Sequence, residues 1–338
     1  MKSAYLYPIS TFMDEAVPNE YVGNFMESLE SNVDFLNKNR PSNKGILDLI
    51  KYYRSVDAIF LNWIEDLPDK RGGAFQTLFF IFLVFLFKIR KIKMIWVVHN
   101  KISHYHTRWF LKKLIFNTVK RRSDLVITHS IEGLQFLEQH GVDIVRKARY
   151  FPHPLIRKTL PAPTNRTIDI LIWGSMIPYK GVDNFLRFLH ENNLGKGYHI
   201  QMAGKVSPPE YEKTIREYCN DFIHLDSRYV PVDELEQYMA NSKAVLFTYA
   251  EGSVLSSGAL MESLSYGLNV LAPDVGAFKD AREEGLINTF NGFNELMEKL
   301  DDFINSAEDI SDRIDQFIKE NNWSQFAKSV IEWMNENG

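Results

Sequence analysis

Short, mostly apolar runs alternate along this chain with longer stretches in which apolar positions recur every three or four residues. The short runs lie at residues 4–7, 58–61, 94–98 and 125–128, and again at 168–173, 198–203, 222–225, 244–248 and 269–272. Mostly apolar and bounded by turn residues, they predict the strands of a parallel sheet. Helix-length segments fall between them, at 19–37, 75–87 and 107–120 in the first series and at 182–191, 208–220, 231–240, 258–266 and 294–307 in the second. This alternation predicts an α/β fold in which helices cover both faces of each parallel sheet. The two series are separated by PHPLIRKTLPAPTN, which carries Pro152, Pro154, Pro161 and Pro163 and has the composition of a connector between domains. Two Rossmann-like domains are therefore expected, over 1–152 and 165–310. A helical tail, 311–338, offers Trp323, Phe326, Val330 and Trp333 as an apolar face with which to pack back toward the first domain.

Length and composition agree with two cores, because 338 residues at 45% hydrophobic content exceed what one open-sheet domain needs. The single cysteine, Cys219, excludes a disulfide scaffold and a cysteine-rich metal site, and fits a reducing cytosol. The start, MKSAYLYPIS, lacks the apolar core of a secretory signal and reads as a first strand. The longest uninterrupted apolar run, 78–87, has 10 residues and is too short to cross a bilayer alone. Neither domain carries GxGxxG or a Walker A sequence, which argues against NAD and against ATP held by a P-loop.

Charge is distributed unevenly along the chain. Residues 70–123 hold thirteen Lys and Arg and no Asp or Glu, in a chain whose net charge is −4, so the remainder is strongly acidic. An anionic partner for the first half is the expectation. Within that block the Phe-rich segment 75–87 is followed by KIRKIK, the composition of a surface that dips into an anionic leaflet through residues 75–93. A buried helix with solvated flanking charges accounts for the same composition equally well. Nucleic acid is the weaker third reading, since the aromatics sit within aliphatic runs instead of forming spaced stacking platforms.

In an open parallel sheet ligands gather beyond the carboxyl ends of the strands. In the second domain those positions are Gly174, Ser175 and Lys180, then Gly204 and Lys205, then Tyr249, Glu251 and the turn Ser256, Ser257, Gly258, then Asp274 and Gly276. The turn opens a predicted helix, whose free N–H groups and positive dipole end suit a phosphate. Glu262 follows one turn later, within reach of a sugar hydroxyl on the same ligand. Two lysines beside a helix start thus point to a nucleotide diphosphate. The plainer account is that Ser256 caps a helix and Glu262 is a solvated carboxylate. In the first domain the same rule selects Asn62, Trp63 and Glu65, then His99, Asn100 and His104, then His129 and Ser130. No carboxylate or cysteine completes a metal-ligand spacing around these histidines, so hydrogen bonding to a sugar or phosphate is expected and a metal is not.

HN at His99 and Asn100, DLVITHS at 124–130, YFPHP, GSMIPYKG and EGSVLSSGALMESLSYGLNVLAP together resemble the GT-B glycosyltransferases of the "glycosyl transferases group 1" type. Those are retaining enzymes that use a nucleotide-diphosphate sugar, and the likeness is strongest to the bacterial ones of capsular and exopolysaccharide assembly. The resemblance implies two Rossmann-like domains facing across a cleft, the first binding the acceptor and the second the donor. It implies a metal-independent hexosyltransferase without a cofactor, cytoplasmic or peripheral on the inner face of the membrane, where a saccharide or lipid-linked acceptor resides. Lys180 matches the family's phosphate-binding lysine, Glu262 its ribose-binding glutamate and His99 a first-domain histidine near the donor sugar, for which the resemblance implies a catalytic part. The remaining implied roles are donor binding for Gly174, Ser175, Gly204, Lys205, Ser256, Ser257 and Gly258, and acceptor contacts for Trp63, Asn100 and His104. Two positions depart from the pattern. The family's first glutamate falls on Val254, leaving Glu251 to take its catalytic part only across a longer turn, and Ser175 stands where an arginine is frequent, with Lys205 as its substitute. The alternative implied by these departures is a non-catalytic nucleotide-sugar-binding subunit of a glycosyltransferase complex; an epimerase of related fold is a third reading.

Overall fold

The computed structural model describes residues 2–9, 19–39, 44–101, 108–249, 255–305 and 309–336. The chain divides into two compact units, one formed by 1–154 with 321–338 and the other by 155–320.

Six parallel strands make the first unit's sheet: β1 (Lys2–Tyr7), β2 (Val33–Phe35), β3 (Ala58–Asn62), β4 (Lys93–Val98), β5 (Leu125–Thr128) and β6 (Ala148–Tyr150), in the order β2-β1-β3-β4-β5-β6. β3 and β5 are buried at every position and β4 at all but its first, as strands covered on both faces must be. The second sheet comprises β7 (Ile168–Trp173), β8 (Ile200–Ala203), β9 (Ile223–Asp226), β10 (Ser242–Leu246), β11 (Val270–Pro273) and β12 (Asn288–Phe290), again all parallel, in the order β12-β11-β10-β7-β8-β9. Each unit is thus a doubly wound α/β domain.

The segment expected to be one helix over 19–37 is instead a helix, Glu20–Leu29, followed by the edge strand β2. The turn at Asn32 closes back on Leu29, and the next three residues alternate buried, exposed, buried, a two-residue period that suits a sheet edge and no helix. Of the two tail helices, Ser311–Glu320 places Ile314 in the second unit's core. The other, Trp323–Glu336, lays Trp323, Phe326, Val330 and Met334 on Phe25, Met26 and Leu29 of the first. Phe25 and Phe326 meet edge to face at 5.4 Å, and Lys2 Nζ donates to the carbonyl of Met334.

Candidate functional site

In the second unit, the carboxyl ends of β7, β8 and β10 bring a basic, glycine-rich patch together. Gly174 follows β7 with φ 88°, a conformation that favours glycine, and a Cβ there would lie 3.7 Å from Lys180 Nζ and 4.0 Å from Ala259 Cβ. Lys180 and the first turn of the helix Gly258–Ser265 therefore converge on Gly174. Gly204, after β8, presses against the same backbone: a Cβ would come within 2.2 Å of the Gly174 carbonyl oxygen, so only glycine fits. Met176 and Val206 extend the pairing of these two loops, with Met176 N–H donating to Lys205 O at 2.8 Å. Lys180 is half-buried, its carbonyl accepting from Thr248 Oγ1 at 2.8 Å and its ammonium 5.5 Å from the Tyr249 ring centre. Lys205 and Ser175 are exposed. Among the described residues no carboxylate forms an ion pair with either lysine.

Ser257 caps the helix, its Oγ accepting from Leu260 N–H at 3.2 Å. Gly258 is exposed, with open space where a side chain would stand, so backbone N–H groups of the first turn can be approached closely. Ser256, beside them, is half-buried. The helix is pinned to β7 by Trp173, whose indole N–H donates to Ser263 Oγ at 3.1 Å. One turn on, Glu262 is gripped by Lys158: Nζ lies 2.8 Å from Oε1 and 3.0 Å from Oε2. Lys158 comes from the proline-rich connector, is tied by its backbone N–H to Ser265 O, and rests 5.5 Å from the Tyr266 ring centre. The sequence reading did not select it. A Lys in an irregular connector carries no periodic signal, and only its proximity to Glu262 reveals it.

In the first unit, the strand-end residues form an aromatic and imidazole cluster. Trp63 follows β3 in the left-handed region, φ 46°, which is strained for a bulky residue. Its indole stacks on His99, ring centres 4.2 Å apart and planes 15° from parallel. His99 Nε2 and Asn62 Oδ1 are 2.9 Å apart. His129 Nδ1–H donates to Phe151 O at 2.8 Å, which leaves Nε2 to accept from Tyr21 O–H at 2.8 Å. His153 Nδ1 pairs with Pro154 O at 3.0 Å, and its ring lies 5.1 Å from that of His129. Burial, reinforced by neighbouring imidazoles, holds His99 well below the usual histidine range and pushes His129 down to about 3. Burial also takes His153 to about 4. All three are neutral at pH 7 and serve as hydrogen-bonding groups. Asn100 is half-buried next to His99. Glu65 is buried with neither oxygen hydrogen-bonded, and desolvation beside Asp66 raises its carboxyl to about 8. His104 and Glu251 lie outside the described residues. Among those described, no three His, Cys, Asp or Glu side chains are grouped to hold a metal ion.

No family model matches the chain, and no curated protein matches its sequence. Its fold is nevertheless shared with solved structures along the full length. HepE from Anabaena in complex with UDP-glucose superposes with a TM-score of 0.71 at 12% identity, over 99% of this chain and 100% of that one. The sucrose-phosphate synthase of Thermosynechococcus elongatus gives 0.69 at 14%, covering 99% of both chains. The apo form of WaaB, a lipopolysaccharide outer core galactosyltransferase, gives 0.62 at 15%, covering 100% of both. At such identities the likeness is one of fold: two six-stranded parallel sheets, each wound with helices, as in the GT-B glycosyltransferases.

Proposed function

We propose that this protein is a retaining, metal-independent glycosyltransferase that moves a sugar from a nucleotide diphosphate to a saccharide acceptor, polymeric or lipid-linked, in capsule or exopolysaccharide assembly at the inner membrane surface. The observation that carries it is the convergence of Lys180 Nζ and the open first turn of the Gly258–Ser265 helix on Gly174. That arrangement suits a diphosphate. As the bond between the sugar's anomeric carbon and the diphosphate oxygen breaks, negative charge grows on the leaving oxygen, and a fixed ammonium with oriented N–H groups stabilises it. The acceptor hydroxyl attacks the same face and passes its proton to the departing phosphate, so that no separate base is needed. Glu262 is the ribose acceptor in this reading, Ser175, Gly204, Lys205, Ser256 and Ser257 complete the donor side, and Trp63, His99 and Asn100 supply first-unit contacts to sugar. HepE was solved with UDP and with UDP-glucose, and a uridine donor is the first to try.

The second reading, a nucleotide-sugar-binding subunit without activity, draws on Ser175 in place of arginine and Val254 in place of glutamate. A thermal-shift screen with UDP, GDP, ADP and CMP sugars, followed by turnover of the stabilising donor with membrane and polysaccharide extracts, separates the two. Transfer should fall at least ~100-fold in Lys180→Ala, the loss expected when a group stabilising the leaving charge is removed. Donor binding with no turnover on any extract supports the subunit; no stabilisation by any nucleotide sugar rejects both.

A further inference from the structure

The helix Gly73–Arg90 is apolar on two opposite faces. Its inner face, Phe80, Leu83, Val84 and Phe87 with Gln76 and Thr77, is buried in the first unit, where Gln76 Oε1 accepts from Ile46 N–H at 3.2 Å. Its outer face carries Phe75, Leu78, Phe82, Phe85 and Ile89, each 55–65% exposed. The alternating spacing of three and four puts these five in a single stripe. The neighbouring helix Trp109–Arg122 adds Trp109 and Phe110, 66% and 74% exposed. Its start is fixed to the turn that opens the first helix, since Arg108 donates to Pro68 O and Lys112 pairs with Asp69 at 2.7 Å. Soluble surfaces seldom leave so many large apolar side chains together uncovered.

Two occupants suit a stripe of this spacing, a second copy of the chain and a lipid bilayer. Charge decides between them. Lys88 and Arg90 flank the stripe on its two sides, Lys113 stands one turn beyond Trp109, and residues 70–123 contain no Asp or Glu to answer them. A self-complementary dimer would set these cations against their own copies. Anionic headgroups would neutralise them. By length and composition the helix could cross a membrane, but with its inner face part of the unit's packing it can meet lipid only along its length.

We propose that Phe75, Leu78, Phe82, Phe85 and Ile89, with Trp109 and Phe110, dock the protein lengthwise on an anionic lipid surface. The aromatic and aliphatic side chains enter the acyl boundary while Lys88, Arg90 and Lys113 reach the phosphates. This deepens the proposed function by naming the surface that meets a lipid-linked acceptor, and it rests on that reading for its purpose alone. The test is sedimentation of the full-length protein with vesicles of phosphatidylcholine, with and without phosphatidylglycerol, at low and high salt. Binding should require the anionic lipid and weaken with salt. Phe82→Ser/Phe85→Ser should weaken it at least tenfold, on the order expected when two phenyl groups leave an apolar phase, and Lys88→Glu/Lys113→Glu about tenfold or more on anionic vesicles alone. All four side chains are exposed, so unchanged melting temperatures confirm folding. Equal binding to neutral vesicles, or binding untouched by the Phe pair, overturns the proposal. So does a concentration-dependent dimer, seen by analytical ultracentrifugation, that the Phe pair abolishes while vesicles never bind. Nucleotide-sugar binding measured without vesicles reports on the donor site separately, so its failure leaves the membrane result intact.

Discussion

Glu262, the ribose acceptor of the proposed reading, is already held by a side chain of this chain. Both carboxylate oxygens lie within 3.0 Å of Lys158 Nζ, and that ammonium is itself seated over Tyr266, whose hydroxyl donates to Glu236 at 2.6 Å. The carboxylate therefore has a fixed orientation, the one in which the proposed reading has it receive ribose hydroxyls. Replacing Lys158 by Met keeps the stem and removes the charge that grips the half-buried carboxylate. A hydrogen bond to a charged group contributes about 1.5–3 kcal/mol, so nucleoside diphosphate affinity should fall about tenfold or more by titration calorimetry with the fold unchanged. Unaltered or tighter binding would mean that Lys158 competes with the ligand instead of positioning its acceptor. Gly174 and Gly204 were legible in the sequence because each follows a strand directly, and Lys180 because it lies in the loop that leaves the first of them, where a local rule suffices. Lys158 was not, because its part is set by where an irregular connector crosses a helix. Tyr21 was hidden for the same reason: the contact of its hydroxyl with His129 spans more than a hundred residues and exists only through the topology.

At the level of elements, the tail helix Trp323–Glu336 completes the first unit. Phe326 packs edge-on against Phe25 and against Phe151, Trp323 against Tyr21, and Val330 is wholly enclosed. Phe326→Ala should cost about 3–5 kcal/mol, the range for a buried phenylalanine, and lower the urea midpoint of the first unit while leaving the second unit's unchanged. An equal shift of both would show that the units unfold as one. The longer strands could be read from their apolar runs and most helices from their spacing. The exceptions, β2, β6 and β12, have three residues each, and β6 and β12 bury a single side chain apiece. A pattern so short carries no period. It is pairing with a long neighbour, Lys2 with Val33 through Ala4 with Phe35 for example, that makes such segments strands.

For the whole molecule, the titratable burden is divided unequally between the units. His99 and His129 are buried neutral in the first, and His153, which keeps some solvent contact and faces Glu20, contributes less. Their folded pKa values lie below the unfolded value near 6.5, so the stability they hold at pH 7 is lost as pH falls through 6.5 toward 4 and 3. Glu65 has the opposite sign. Its carboxyl, raised to about 8 by burial and by Asp66, favours the folded state below about 4.5 and disfavours it as pH rises to 8. Between 4.5 and 6.5 one carboxyl thus opposes several imidazoles, each worth about 1.4 kcal/mol per pH unit, and the imidazoles prevail. Calorimetry from pH 8 to 4.5 should accordingly show the first unit's transition moving down below pH 6.5 while the second unit's stays nearly fixed. A bound nucleoside diphosphate should raise the second alone. Glu65→Gln removes the opposing slope, so the first transition should rise at pH 8 and fall more steeply on acidification. A first transition that is flat between pH 6.5 and 4.5 would mean that water reaches these imidazoles and that the cluster is not the closed, neutral assembly its hydrogen bonds describe.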